Sequence, residues 1–207
     1  KAQWAVCSPK ALANFSAVGY GFGKELQEAL NVPIGLIDAS YGGTTIEGWL
    51  SAEYLVNNPK LAALANKSKN KKWAKKISHL HNANIYPIRH YNIAGTIWYQ
   101  GCSNANESPR YTKLFPMLIK DWRNKWNNPE MPFVFVQIAS FFKHSPKARG
   151  PEDNWKKFTP LYASCEGYTA SREAQTVALA LPNVGMAVAI DKGDQYDVHP
   201  TRKEPIG

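Results

Sequence analysis

Near the carboxyl end of the sequence, Asp197-Val198-His199 sets an imidazole two residues from a carboxylate. An imidazole with an ordinary pKa of about 6.5 accepts a proton and gives it back, and a carboxylate beside it can steady the charged form. His199 is thus a candidate general base and Asp197 its orienting partner. Two polar loops follow apolar runs elsewhere in the chain, Tyr41-Gly42-Gly43-Thr44 and Gln100-Gly101-Cys102-Ser103-Asn104. Gly43 and Asn104 are candidate hydrogen-bond donors to a developing oxyanion, a role filled by backbone N–H groups and carboxamides. The glycine pair also has a simpler reading, that it merely permits the turn. Base, orienter and oxyanion donors together point to acyl transfer, which still requires a nucleophile.

Ser103 lies in a sequence close to the Gly-x-Ser-x-Gly nucleophile elbow, but an elbow needs a helix that starts at the serine. Here Asn106, Glu107, Ser108 and Pro109 intervene. Cys102 offers a thiol, yet a small cysteine beside a sheet is more often inert packing. His79 and His81 are spaced as for alternate faces of a strand and have no accompanying carboxylate cluster, so no metal site is expected there. No organic cofactor is implied.

These groups need elements to position them. Phe15, Val18, Phe22, Leu26 and Leu30 follow helical spacing after a candidate N-cap at Asn14, and predict a helix with a core stripe. Val32–Ile37, Ile93–Tyr99, Met131–Ile138 and Val184–Ile190 are apolar runs without alternation, as expected of buried parallel strands. A short helix is expected around Ile46, Trp49 and Leu50. A long one from Arg110 carries Leu114, Leu118, Trp122 and Trp126 at steps of four, and another runs over Thr169–Leu181. Helices alternating with strands give an α/β fold, a three-layer αβα sandwich with a mostly parallel sheet. Ligands of such sheets lie outside the carboxyl ends of the strands, which gathers both polar loops, the start of 139–168 and the 191–199 segment on one edge. The long aperiodic stretch 139–168 is a candidate rim.

The totals limit other readings. At 207 residues and 44% hydrophobic content, one globular domain over 1–207 is expected. The net charge of +9 is concentrated at Lys67, Lys69, Lys71, Lys72, Lys75 and Lys76, and the run lacks the aromatics and glycines of a nucleic-acid module. Nucleic-acid binding is therefore a remote alternative. No run is long and apolar enough for a membrane span, and no targeting signal is visible. Cys7, Cys102 and Cys165 are spaced too widely for a zinc knuckle or a redox motif, and leave disulfide pairing open.

Taken in order, Phe15-Ser16-Ala17-Val18-Gly19-Tyr20, Val32–Ile37, Tyr41–Thr44, Ile97–Ala105, Arg172-Glu173-Ala174-Gln175 and Asp197-Val198-His199-Pro200 resemble the sialate O-acetylesterase family. That family, with related acetylxylan esterases, belongs to the SGNH hydrolases, whose sheet is of flavodoxin-like type. The resemblance implies an esterase that removes acetyl groups from sugar hydroxyls through a serine acyl-enzyme. It implies oxyanion roles for Gly43 and Asn104, a base role for His199 and an orienting role for Asp197, with Asp194 an alternative carboxylate. Gln100, Trp98 and Arg172 are candidate substrate contacts. Secreted or periplasmic location is expected from the family.

Two departures accompany the resemblance. The family's Gly-Gln-Ser-Asn nucleophile motif does not occur in the chain, and the family continues beyond the His199 region into a final helix. The chain is thus expected to be incomplete at both ends, with little activity alone. Cys102 also stands where the family usually has Glu. A rival reading is a non-catalytic carbohydrate-binding or degenerate relative, with Trp49, Trp98 and Trp155 as stacking surfaces.

Overall fold

The computed structural model describes residues 3–66, 76–141, 166–193, 199 and 203–207. Among the described residues, three parallel strands form the sheet in the order β1 (Thr96–Trp98), β2 (Phe133–Gln137) and β3 (Val184–Val188). Trp98 is level with Phe135, and Phe135 with Met186. The α-helices in chain order are α1 (Pro9–Leu12), α2 (Ala17–Leu30), α3 (Ala52–Val56), α4 (Pro59–Asn66), α5 (Ser108–Lys125) and α6 (Glu166–Thr176).

Strand alternation divides the packing into two layers. Phe133 and Phe135 join the main core with Phe115 of α5, whose ring lies 5.0 Å from that of Phe135 at a near-perpendicular 88°. On the opposite face, Val136 packs with Ala139, Ala189 and Ile206, with Val18 of α2 against them. The molecule is therefore an α/β fold with helices on both sides of a parallel sheet.

Helix α5 follows the expected periodicity. Pro109 suits its first turn, where a missing N–H costs no hydrogen bond. Leu114, Phe115, Leu118, Ile119 and Trp122 bury one face, and Arg123 and Lys125 lie at the end where the helix dipole favours cations. Two charged residues of this helix are buried for a specific reason. Asp121 accepts 2.6 and 2.7 Å bonds from the backbone N–H and hydroxyl of Ser51. Arg123 donates to the carbonyls of Met131 at 2.9 Å and Pro182 at 2.7 Å. Helix, surface segment and strand starts are thereby tied together.

The amino-terminal part departs from expectation. Ser16, not Asn14, caps α2, its hydroxyl accepting from Gly19 N at 3.0 Å while its own N–H donates to Asp38 at 3.1 Å. The apolar stripe of α2 is half-buried at Phe15, Val18, Phe22 and Leu26, and Leu30 is exposed. Val32–Ile37 is not a strand: β1 is the edge of the sheet, no described strand pairs with this run, and Val32 and Ile37 are exposed. An apolar run becomes a strand only where a neighbour completes its ladder. β1 and β2 are also shorter than their apolar runs, and the Ile46–Trp49 segment is a 3-10 turn. The expected Thr169–Leu181 helix starts earlier, at Glu166, and its end passes into a 3-10 turn over Val177–Ala180.

His79 and His81 do not alternate on a strand. His81 opens a π-helical turn, His81–Ile85, and is buried. The Lys67–Lys75 part of the basic run and most of the expected rim lie outside the described residues. Among the described residues no helix is long and apolar enough to cross a membrane.

Phe115 is enclosed by Tyr111, Phe133 and Phe135. Phe115→Ala should lower stability by about 3–5 kcal/mol, measured by denaturant unfolding. Burial, the largest influence, pushes the His81 pKa down, partly opposed by Asn82 and Asp121. The unfolded chain then takes up a proton near pH 6.5 that the folded chain resists, so stability falls as pH drops through that range. Unfolding midpoints at about pH 7.5 and about pH 5.5 should show a smaller acid loss for His81→Gln than for the unmodified chain.

Candidate active site

Two arms meet beyond the carboxyl end of β1. The first is the turn at Tyr41–Thr44, where Gly43 has a φ of 68°, a left-handed conformation open to glycine and strained for other residues. Thr44 closes it by donating its hydroxyl to Tyr41 O at 2.9 Å, and Thr44 Oγ1 in turn accepts from the Trp49 indole N–H at 3.1 Å. A backbone N–H in this turn is held by a closed hydrogen-bond pattern anchored to a buried tryptophan.

The second arm leaves β1 through Gly101, whose φ is 150° and where a side chain would come within 2.9 Å of Ile138 Cγ2. Cys102–Glu107 then forms a 3-10 turn that buries Asn104 to 1% exposure. Gln100 joins the arms, its side-chain amide donating to Thr44 O at 2.9 Å and to Asn104 Oδ1 at 2.9 Å. Ile46 N donates to the same Asn104 oxygen at 3.0 Å. Two expected site residues, Gly43 and Asn104, are thus carried by segments bonded directly to each other.

The polarity of the Asn104 carboxamide is set by these partners. Its oxygen accepts two N–H groups, and its nitrogen donates to Glu47 Oε2 at 3.2 Å. An amide nitrogen carries two hydrogens, and this contact uses one. Gln100 is itself held, its oxygen accepting from Tyr111 OH at 3.1 Å. Gln100 therefore supports the arms, and its side chain is occupied in doing so.

The other expected residues are placed differently. His199 is exposed, and Asp197, expected to orient it, lies like Asp194 outside the described residues. Trp98 is not a surface residue: alternation turns it toward α5, where it is 7% exposed and meets Trp49 and Trp122 edge-on at 5.7 and 5.5 Å. Trp49 is buried to 4%. Neither ring is a sugar-stacking surface, and Trp155 lies outside the described residues. Arg172 on α6 donates to Thr169 Oγ1 at 3.2 Å, and its carbonyl accepts from Gln137 at 3.0 Å.

Ser103 and Cys102 both sit half-buried in the 3-10 turn, and α5 starts only at Ser108. The strand therefore does not deliver Ser103 to the head of an α-helix, as an elbow requires. Burial pushes the Cys102 thiol up, only partly offset by its hydrogen bond with Tyr168. It remains a thiol at neutral pH and is a weak nucleophile. Burial likewise pushes the neighbouring Tyr99 phenol up to about 12. Among the described residues, no group of three or more His, Cys, Asp or Glu side chains is arranged to hold a metal ion.

Glu47, Arg110 and Gln175 were not among the residues expected at the site. Glu47 is fully buried beside Asn104 and lies 2.8 Å from Arg110 Nε. Gln175 ties α6 to both strand ends, donating to Gln100 O at 3.1 Å and Val136 O at 3.2 Å while accepting from Ile138 N at 2.9 Å. Its motif was visible in the sequence, whereas the pairing of Glu47 with Arg110 joins distant segments and leaves no local pattern.

Residues 9–203 match the family described as carbohydrate esterase, sialic acid-specific acetylesterase. The chain belongs to this family. Among its relatives, human sialate O-acetylesterase is 33% identical over 206 residues, a match covering 92% of the chain and 37% of the human protein. The mouse sialate O-acetylesterase is 30% identical over 230 residues, covering 92% and 40%. A crystal structure of a carbohydrate acetylesterase from Xanthomonas citri superposes with a TM-score of 0.77 and 32% identity, over 99% of this chain and 41% of that one. The chain therefore spans about two-fifths of the length of these relatives.

Cys7 and Cys102 are both free, the first exposed and the second half-buried. Under limiting iodoacetamide near neutral pH, Cys7 should be alkylated faster than Cys102, as read by peptide mass spectrometry. Equal rates would contradict the burial of the Cys102 thiol.

Proposed function

We propose that this chain supplies the oxyanion donors and the general base of a carbohydrate O-acetylesterase acting on O-acetylated sugars by a serine acyl-enzyme mechanism. The observation that carries the reading is the Asn104 carboxamide, fixed with its nitrogen as donor beside the Gly43 turn, in a chain of this esterase family. A preorganised donor pays its orientation cost during folding, before charge develops on the substrate.

The chemistry assigns each group one task. A serine hydroxyl attacks the acetyl carbonyl carbon while His199 takes its proton, and the carbonyl oxygen becomes an oxyanion facing Gly43 N–H and Asn104 Nδ2. Collapse of this intermediate breaks the bond to the sugar oxygen, which leaves with the proton from His199. Water, deprotonated by His199, then attacks the acyl carbonyl carbon; collapse breaks the bond to the serine oxygen, which takes the proton back from His199 as acetic acid leaves. Asp197 steadies the imidazolium in both halves. No motif in these 207 residues matches the family's serine nucleophile, so the proposal gives this chain the base and oxyanion parts of the cycle. The location expected from the family, secreted or periplasmic, belongs to the same proposal.

The test is hydrolysis of an aryl acetate and an O-acetylated sialic acid by the protein that contains this chain. His199→Ala should reduce turnover severely, and Asn104→Ala should lower kcat by about 10² to 10³. An unchanged rate in His199→Ala would remove the base assignment.

A further inference from the structure

We infer that Glu47, held by Arg110, is a positioning residue that decides which end of the Asn104 carboxamide faces the oxyanion; the inference rests on the esterase reading above. A carboxamide has two orientations of nearly identical shape, related by exchange of oxygen and nitrogen. In the observed one, Asn104 Oδ1 accepts from Ile46 N at 3.0 Å and Gln100 Nε2 at 2.9 Å, and Nδ2 donates to Glu47 Oε2 at 3.2 Å. The exchanged one sets an acceptor against a carboxylate and a donor against two donors. Every contact becomes unfavourable.

The three partners differ in how firmly they impose this choice. Gln100 is itself a carboxamide and can present either end, whereas an ionised carboxylate is acceptor-only. Glu47 thus supplies a polarity that cannot invert. It is 0% exposed, so its charge must be compensated within the protein. Arg110 does this with Nε 2.8 Å from Glu47 Oε1, close enough for charge attraction although poorly aligned for a hydrogen bond. The same guanidinium pairs with Glu107 at the end of the 3-10 turn that contains Asn104. Arg110 therefore joins the turn that carries the donor to the Ile46–Trp49 turn that carries its orienting carboxylate.

The experiment is a double-mutant cycle in the protein that contains this chain, with Glu47→Gln, Asn104→Ala and the double variant assayed for kcat and KM on an O-acetylated sugar. Glu47→Gln alone should lower kcat by about 10- to 100-fold with KM nearly unchanged, the range found for the outer-shell partners that orient metal ligands. In the Asn104→Ala background the same substitution should lower kcat no further, because its effect runs through the missing amide. Melting temperatures of all variants separate this from loss of fold. If Glu47→Gln does not fold, Arg110→Lys is read in the same cycle, with the same non-additivity expected.

An unchanged kcat, or losses that multiply in the double variant, overturns the inference. A second readout does not depend on turnover. The Asn104 side-chain amide signals in a ¹⁵N–¹H spectrum, assigned by their disappearance in Asn104→Asp, should move more in Glu47→Gln than those of the other asparagines. If the unmodified protein does not deacetylate, the esterase reading fails, and this spectral shift alone decides for or against the orienting role of Glu47.

Discussion

A carboxylate with no solvent contact must have a partner, and Glu47 imposes that requirement on everything around it. Its oxygens take one amide hydrogen from Asn104 and the charge of Arg110. Breaking a buried pair by removing one member leaves an uncompensated charge, at a cost of about 3–5 kcal/mol. The segments around Ile46, Asn104 and Arg110 are therefore bound to a single arrangement. Such a pair contributes little net stability compared with apolar packing.

Aromatic packing supplies the rigidity beneath this polar junction. Trp98 lies between Trp49 and Trp122 in near-perpendicular contacts, and each indole N–H is directed to a defined oxygen. Trp49 donates to Thr44 at 3.1 Å, Trp122 to Trp49 O at 3.0 Å, and Trp98 to Tyr111 OH at 3.5 Å. Thr44 belongs to the Gly43 turn, and Tyr111 holds Gln100. The core thus reaches the two loops through hydrogen bonds on the polar edges of otherwise apolar rings. Loops anchored in this way can present donors without reorganising when charge appears.

In the proposed reading the two sides of the site differ in burial: Asn104 and Glu47 are buried, while His199 is exposed. That division suits the roles proposed for them. A donor is most effective when fixed in a dry, low-dielectric setting, whereas a base that receives and returns protons must reach both substrate and water.

Periodic patterns were legible in the sequence. The stripe of α5 follows from its spacing, and the three paired strands lie within unalternating apolar runs, because burial of one helix face or a whole strand leaves a local signature. The motifs around Gly43 and Asn104 also announced themselves, since glycine turns and amide loops stand out at the ends of apolar runs. Tertiary structure decided the rest. Val32–Ile37 has a strand's composition but no ladder, because pairing is a property of neighbours. Trp98 has the chemistry of a sugar platform but the position of a core residue, because strand alternation set its direction. The partnership of Glu47, Arg110 and Asn104 joins segments far apart in the chain, and only folding brings a buried carboxylate against the amide it orients.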